Sequence, residues 1–258
     1  MKNISLVLSS GGARGLAHIG VIDELVERGC NIVSIAGASM GSLVGGMYAA
    51  GKLDEVRYWM LSLSNRKKIS YIDLSLSSSY LVKGDKVMNA FKEIVPDVNI
   101  EDLPVNYCAV AADWKTGAEV VFNSGSLYEA IRASISIPLF FKPIQRDGMV
   151  LVDGGILNPL PVNRIKRTDD DILVAVNVNG NSMLDGDNGE QLNYISLLKK
   201  TILLMIHQNS VLTAQICKPD ILIDIPFDRY GGFEYNKVEE IINYGRECAK
   251  KVLGDFAD

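Results

Sequence analysis

An α/β fold is predicted by two observations. Apolar Ile4–Leu8, a glycine-rich turn, a helical pattern from Leu16 to Arg28 and apolar Ile32–Ala36 follow one another closely, which is a strand–helix–strand unit. Short buried-strand runs then recur at Val105–Ala111, Met149–Val152, Ile172–Val178 and Ile221–Ile225, with helical patterns among them. A strand–helix–strand unit implies a parallel sheet with helices on its faces and a right-handed crossover. The 258 residues, 48% hydrophobic and 22% charged, rule out a disordered acidic polymer, and the length suits a single α/β domain spanning 1–258. Lys and Arg number 26 against 31 Asp and Glu, a net charge of −5, so nucleic acid is an unsuitable partner.

The elements follow in order. Ile4–Leu8 reads as a buried strand and Ser9–Gly15 as a glycine loop. In the next helix Ile19, Ile22, Leu25 and Val26 recur at helical spacing, and Gly29 supplies its stop. From Gly29 to Gly51 the chain carries no charge, a length that would span a membrane, but six glycines and three serines make it only modestly apolar. The preferred reading is a buried strand, a sharp turn and a buried helix. Residues 52–100, with Arg66-Lys67-Lys68, a serine-rich stretch at 75–79 and helical spacing in Val87, Phe91, Ile94 and Val95, read as a helical cap or insertion.

Val105–Ala111 and Glu119–Phe122 flank a turn at 113–117, and Tyr128–Ser134 forms a short helix. Met149–Val152 is a strand ending in Asp153-Gly154-Gly155. Ser182–Gly189 is a polar loop, Tyr194–Ile216 a long helix, and Glu234–Leu253 an amphipathic helix. Cys30, Cys108, Cys217 and Cys248 are far apart with no C-x-x-C pair, so neither zinc nor a disulfide framework is indicated, and a reduced, cytoplasmic setting is the default. The N-terminus has too short an apolar run for a signal peptide.

Three motifs carry chemistry. Gly37-Ala38-Ser39-Met40-Gly41 matches G-x-S-x-G between a strand and a helix, where the turn exposes the serine hydroxyl and the glycines avoid collisions. Gly11-Gly12-Ala13-Arg14-Gly15 lies between a strand and a helix, so its amides are candidates for binding an anion or developing oxyanion. Asp153-Gly154-Gly155 puts a carboxylate at a strand end, the sheet edge where parallel strands present active sites. Each alone has an ordinary turn as its competing explanation, but all three in one chain are expected at random only ~0.0005 times. P-loop and dinucleotide readings of the glycine loop are weaker, since those fingerprints need further glycines, lysine or acid at fixed offsets.

A nucleophilic serine needs a base, and the only histidines are His18 and His207. The order Ser39, Asp153, His207 matches an α/β-hydrolase triad, although His207 falls mid-helix, where a packing role is favoured. His18 is expected to support the glycine loop. Without either, Asp153 must accept the serine proton.

These motifs and their order resemble patatin-like phospholipases, especially short bacterial members, over residues 4–165; Ala133–Pro138 through Pro143 also resembles family sequence. The chain departs from the family at Ser10, where the loop usually has its first glycine. The resemblance implies a three-layer α/β/α fold with a mostly parallel central sheet and a Ser39–Asp153 dyad without catalytic histidine. It implies no metal or cofactor. Gly11, Gly12, Ala13, Arg14 and Gly15 would serve as the oxyanion loop, with Gly37, Gly41, Gly154 and Gly155 supporting the turns. The implied substrate is a fatty-acyl ester of a phospholipid, lysophospholipid or related lipid. Arg66-Lys67-Lys68 is compatible with peripheral contact to an anionic membrane, although three basic residues more often make a solvated surface. Three alternatives stay open: a non-catalytic lipid-binding or regulatory protein on this fold, a glycine loop that binds a nucleotide phosphate, and a Ser-Asp-His esterase or thioesterase. Oligomeric state is not legible.

Overall fold

The computed structural model describes residues 1–65, 80–82, 89, 92–93, 98–181 and 193–256. From the N-terminus, β1 (Asn3–Leu8) leads through the glycine loop and a 3-10 turn, Gly12–Leu16, into α1 (Ala17–Glu27). Next come β2 (Asn31–Ala38), α2 (Met40–Ala49), α3 (Leu53–Asn65) and β3 (Tyr80–Val82). β4 (Asn106–Asp113), β5 (Glu119–Phe122) and α4 (Leu127–Ser134) precede β6 (Leu139–Phe141), β7 (Ile144–Arg146) and β8 (Met149–Asp153). The chain finishes with β9 (Asp171–Gly180), α5 (Tyr194–Cys217), β10 (Ile221–Pro226) and α6 (Val238–Leu253).

The main sheet runs β10-β9-β1-β2-β4-β8-β7, with β5 also on β4. Pairings from β10 to β4 are parallel, and those of β4 with β5 and β8, and of β7 with β8, are antiparallel. The uncharged 29–51 stretch forms β2, a turn and the short α2, and among the described residues no helix is long and apolar enough to cross a membrane.

Alternation along the central strands builds a core on each face. Ile4, Leu6 and Leu8 of β1, with Val174, Val176 and Val178 of β9, join the larger cluster with side chains of α1, α2, α4 and α6. Val7, Leu173 and Ala175 point the other way, toward Ala214 of α5 and Leu160 and Val162. Helices therefore cover both faces, the three-layer α/β/α arrangement, and strands buried on both sides read as unbroken apolar runs.

The antiparallel strands do more than extend the sheet. Along β4, Ala109 to Ala112 pair with β5, so β2 and β8 must share the opposite edge. β2 fills it up to Ala38 beside Val110, and β8 begins the next position with Asp153 beside Ala111. Two strands thus meet end to end on one edge of β4, with Ser39 and Asp153 at the junction.

Within the expected cap, Leu53–Asn65 is helical and Tyr80–Val82 pairs with Leu139–Phe141; Arg66-Lys67-Lys68, the 75–79 serines, Val87, Phe91, Ile94 and Val95 lie outside the described residues. The expected 182–189 loop does also. The last helix begins at Val238 after a 3-10 turn at Tyr235–Lys237, four residues later than the amphipathic pattern begins.

Candidate active site

Ser39 sits between β2 and α2 at φ 52°, ψ −123°, a conformation costly for a residue with a side chain and tolerated where the surroundings enforce it. What enforces it is crowding. A Cβ at Gly37 would lie 2.5 Å from the Gly41 carbonyl oxygen, and one at Gly41 would lie 2.2 Å from that of Leu8. The Ser39 N–H donates to Ser134 Oγ at 2.9 Å, from the last turn of α4. Ser42 Oγ donates to the Ser39 carbonyl at 2.6 Å, which fixes the other side of the turn.

The Ser39 hydroxyl donates to Asp153 Oδ2 at 2.5 Å. Asp153 Oδ1 accepts from the Gly155 N–H at 2.7 Å, and the Asp153 N–H donates to the Ser136 carbonyl at 3.0 Å. Gly154 lets the turn lie on β4, since a Cβ there would be 2.1 Å from the Val110 carbonyl oxygen. Burial pushes the Asp153 carboxyl up to about 7, while the hydrogen bonds from Ser39 and Gly155 pull in the opposite direction. Desolvation penalises the charged form and wins because, among the described residues, no cation pairs with it.

Leu8 ends β1 beside Gly37 of β2, so the glycine loop leaves the sheet next to the serine turn. Gly15 packs on Met40, where a Cβ would approach Met40 Cβ to 2.5 Å. The loop's amides are unequally committed. Ala13 N–H donates to the Gly232 carbonyl at 2.8 Å, whereas among the described residues Gly11 and Gly12 N–H donate to no protein acceptor. Ser10 Oγ is buried without a partner and lies against Gly155.

Arg14 braces the loop from behind. Its guanidinium donates to the Phe227 carbonyl at 2.7 Å and to Asn179 Oδ1 at 3.0 Å, and Asn179 Nδ2 donates to the Ser10 carbonyl at 2.7 Å. Burial lowers its pKa to about 10, with Asp228 opposing, so the group remains charged at neutral pH. A buried guanidinium tied to a carbonyl and an amide is a brace, and this geometry does not place it as a phosphate contact.

His18 is fully buried beneath the loop, its Nε2 2.9 Å from the Ser9 carbonyl. Burial pushes its pKa down to about 4, so the ring is neutral at pH 7, and because a carbonyl only accepts, Nε2 carries the proton. His207 Nδ1 lies 2.6 Å from the Asn179 carbonyl and its ring faces Phe227. Neither histidine stands between Ser39 and Asp153, which touch directly.

Several residues beside this junction have contacts that the sequence does not specify. Ser134 and Ser136 lie in the 133–138 run but brace Ser39 and Asp153 through contacts that spacing does not encode. Tyr235 is close enough for the Asp153 charge to add to burial in pushing its hydroxyl up to about 12. Phe140 and Phe233 stack with centroids 4.2 Å apart, linking the segment beneath Asp153 to the loop whose Gly232 carbonyl holds Ala13.

Comparison with known proteins gives the family. A family model described as patatin-like phospholipase matches residues 6–164, which include the glycine loop, Ser39 and Asp153. An uncharacterized NTE family protein of Mycobacterium tuberculosis is 49% identical over 177 residues, covering 69% of this chain and 49% of that one. Human patatin-like phospholipase domain-containing protein 6 is 26% identical over 283 residues, covering 99% of this chain and 20% of that protein. The crystal structure of VipD from Legionella pneumophila superposes with a TM-score of 0.49 at 14% identity, covering 98% of this chain and 67% of that one. The chain spans about half the length of the mycobacterial relative. With more than half of its residues under the family model, the chain belongs to the patatin-like phospholipase family.

Proposed function

We propose that the chain is a serine acyl hydrolase that cleaves fatty-acyl esters of phospholipids or lysophospholipids through Ser39 and Asp153. The observation that carries this reading is the 2.5 Å contact from Ser39 Oγ to a buried, partner-poor Asp153 at the meeting point of β2 and β8. An ordinary carboxylate is a weak base for an alcohol. One pushed up to about 7 is matched to work near neutral pH.

In the first step Ser39 Oγ attacks the ester carbonyl carbon and its proton passes to Asp153 Oδ2. The Gly11 and Gly12 amides are the donors assigned to the oxyanion of the tetrahedral intermediate, since Ala13 is committed to Gly232. Collapse breaks the ester bond, and the leaving alcohol takes the proton from Asp153. Water then attacks the acyl-serine with Asp153 as base, and the second collapse releases the fatty acid and returns the proton to Ser39. The strained Ser39 turn and its bond to Ser134 keep the nucleophile in one position through both halves.

The test is covalent labelling with a fluorophosphonate, with the modified residue mapped by mass spectrometry, together with release of fatty acid from a lysophospholipid. Labelling at Ser39 that is lost in Asp153→Asn and kept in His207→Ala is the expected result. A folded wild-type protein that is not labelled would instead favour a binding role, and loss with His207→Ala would mean a triad.

A further inference from the structure

We propose that the projecting N-terminal half of α5 is a docking surface for an anionic phospholipid bilayer, bringing the Ser39 edge of the sheet to the lipid; the inference rests on the acyl-hydrolase reading. The helix is the crossover between parallel β9 and β10, so it runs opposite to β9. His207 lies beside Asn179, near the end of β9, and Ala214 packs with Leu173 and Ala175 farther back. At 1.5 Å per residue, the thirteen residues before His207 therefore carry α5 roughly 20 Å past the sheet edge. That edge is the one at which Ser39 and Asp153 stand.

The projecting part has the composition of a surface that avoids water. Tyr194, Leu197, Leu198, Ile202, Leu204 and Met205 are all exposed, Tyr194 at 88% and Met205 at 65%. Every described side chain from Tyr194 to Ile202 is exposed, and together these side chains cover the arc of the first two and a half turns that holds Tyr194, Leu197, Leu198 and Ile202. The apolar face continues along the helix in Leu212 and Ile216, and the total is on the order of 800 Å², larger than the patches ordinary monomers leave open.

Charge selects the occupant. The 24 residues of α5 hold two lysines, Lys199 and Lys200, and no acid, in a chain whose net charge is −5. The exposed apolar arc opens on Tyr194, and Lys199 and Lys200 stand beside it with no acid in the helix, so the Lys200 stem can lie along apolar surface while its ammonium group meets anionic headgroups. Position adds to the argument. Ile156, which follows the Asp153 turn, and Phe233, beside the glycine loop, are exposed near the same edge. A substrate arriving from a bilayer would meet apolar side chains on its way to Ser39, whereas a second copy of the chain gives no reason for the apolar surface to gather at the catalytic edge.

The experiment is flotation with vesicles of phosphatidylcholine containing phosphatidylglycerol, using wild type, Ser39→Ala, Leu198→Glu, Met205→Glu and Lys200→Glu. Wild type and Ser39→Ala should bind alike. Leu198→Glu and Met205→Glu should each weaken partitioning roughly tenfold or more, and Lys200→Glu by less, with its effect absent on pure phosphatidylcholine. In Leu198→Glu, Met205→Glu and Lys200→Glu, hydrolysis of vesicular phospholipid should fall with binding, while hydrolysis of a short-chain p-nitrophenyl ester stays at the wild-type rate. Unaltered circular dichroism confirms that each variant is folded. Binding that is absent, or that survives both glutamate substitutions, overturns the proposal. So does sedimentation equilibrium showing a dimer that Leu198→Glu or Met205→Glu dissociates, because a second copy would then be the occupant. Vesicle binding without Ser39 labelling would sink the hydrolase reading and leave the surface standing.

Discussion

Replacing Asp153 with asparagine should stabilise the protein at alkaline pH while abolishing its activity. Burial raises the carboxyl from 3.8 to about 7, roughly three pKa units, and at about 1.36 kcal/mol per unit the gross penalty for a charged Asp153 is ~4 kcal/mol. Relaxation around a buried charge reduces what is realised to about 2–4 kcal/mol. The folded-state value lies above the unfolded one, so this contribution to stability is fully present below about pH 4 and is lost as pH rises to about 7. Asparagine is nearly isosteric. Its carbonyl oxygen accepts from Gly155 and its amide donates to Ser39 Oγ, with no charge to desolvate.

The measurement is urea denaturation of wild type and Asp153→Asn across pH 5.5 to 8.5. The variant's advantage should widen by about 2 kcal/mol between pH 5.5 and 8 and then level off. Fluorophosphonate labelling of the same samples should fall at least ~100-fold in the variant, the usual scale for loss of a general base. In wild type the labelling rate should rise with pH through about 7, because only the charged carboxylate accepts the Ser39 proton. A stability difference that stays flat over this range, or a variant less stable than wild type at pH 8, would show that Asp153 is not held protonated by burial and would remove the basis for its role as base.

Other outcomes follow from the geometry. Ser134→Ala leaves the Ser39 N–H without its acceptor, which should cost about 1–3 kcal/mol by thermal denaturation and slow labelling more than lost folded protein explains. Gly41→Ala forces a Cβ to 2.2 Å from the Leu8 carbonyl, so expression in folded form should fail or stability drop by ~3 kcal/mol or more; wild-type stability would mean that α2 does not press on β1. His207→Ala removes the contact with the Asn179 carbonyl and the packing on Phe227, so denaturation should show a loss of about 1–3 kcal/mol while Ser39 still labels. Arg14→Met deletes both donors that hold Phe227 and Asn179, and should lower stability by several kcal/mol and labelling with it, whereas an Arg14 that served substrate phosphate would raise KM with stability intact.

The order of the site elements was legible because local rules determine it. A serine between two glycines, after a strand and before a helix, has few conformations open to it, and Ser39 adopts the strained one that motif implies. Strands such as Ile172–Val178 were legible for a similar reason, being apolar at every position because both faces are covered. The short β6 and β7 were not, since three residues carry too little periodicity to register. Ser134 and Ser136 also escaped, because each acts through a single long-range hydrogen bond whose partner lies elsewhere in the sequence. Arg14 was legible as a charge in a glycine loop, but only the fold shows that it faces Asn179 and Phe227 rather than an open site.

The antiparallel half of the sheet explains how this fold places a carboxylate directly against the serine. In an all-parallel sheet, strands beside one another all end at the same edge, and neighbouring side chains are separated by the ~4.8 Å strand spacing. Here β8 enters antiparallel along the edge of β4 that β2 has just vacated, so its last residue, Asp153, lies one register position beyond Ala38. The two strand ends face each other head to head, and their side chains meet at 2.5 Å with no third residue to bridge them. Gly154 and Gly155 then turn the chain away against Val110 and Ser10. The need for a close-packed turn after Asp153 is thus a consequence of the head-to-head contact between Ser39 and Asp153, and it gives the Asp-Gly-Gly sequence a physical reason beyond an ordinary turn.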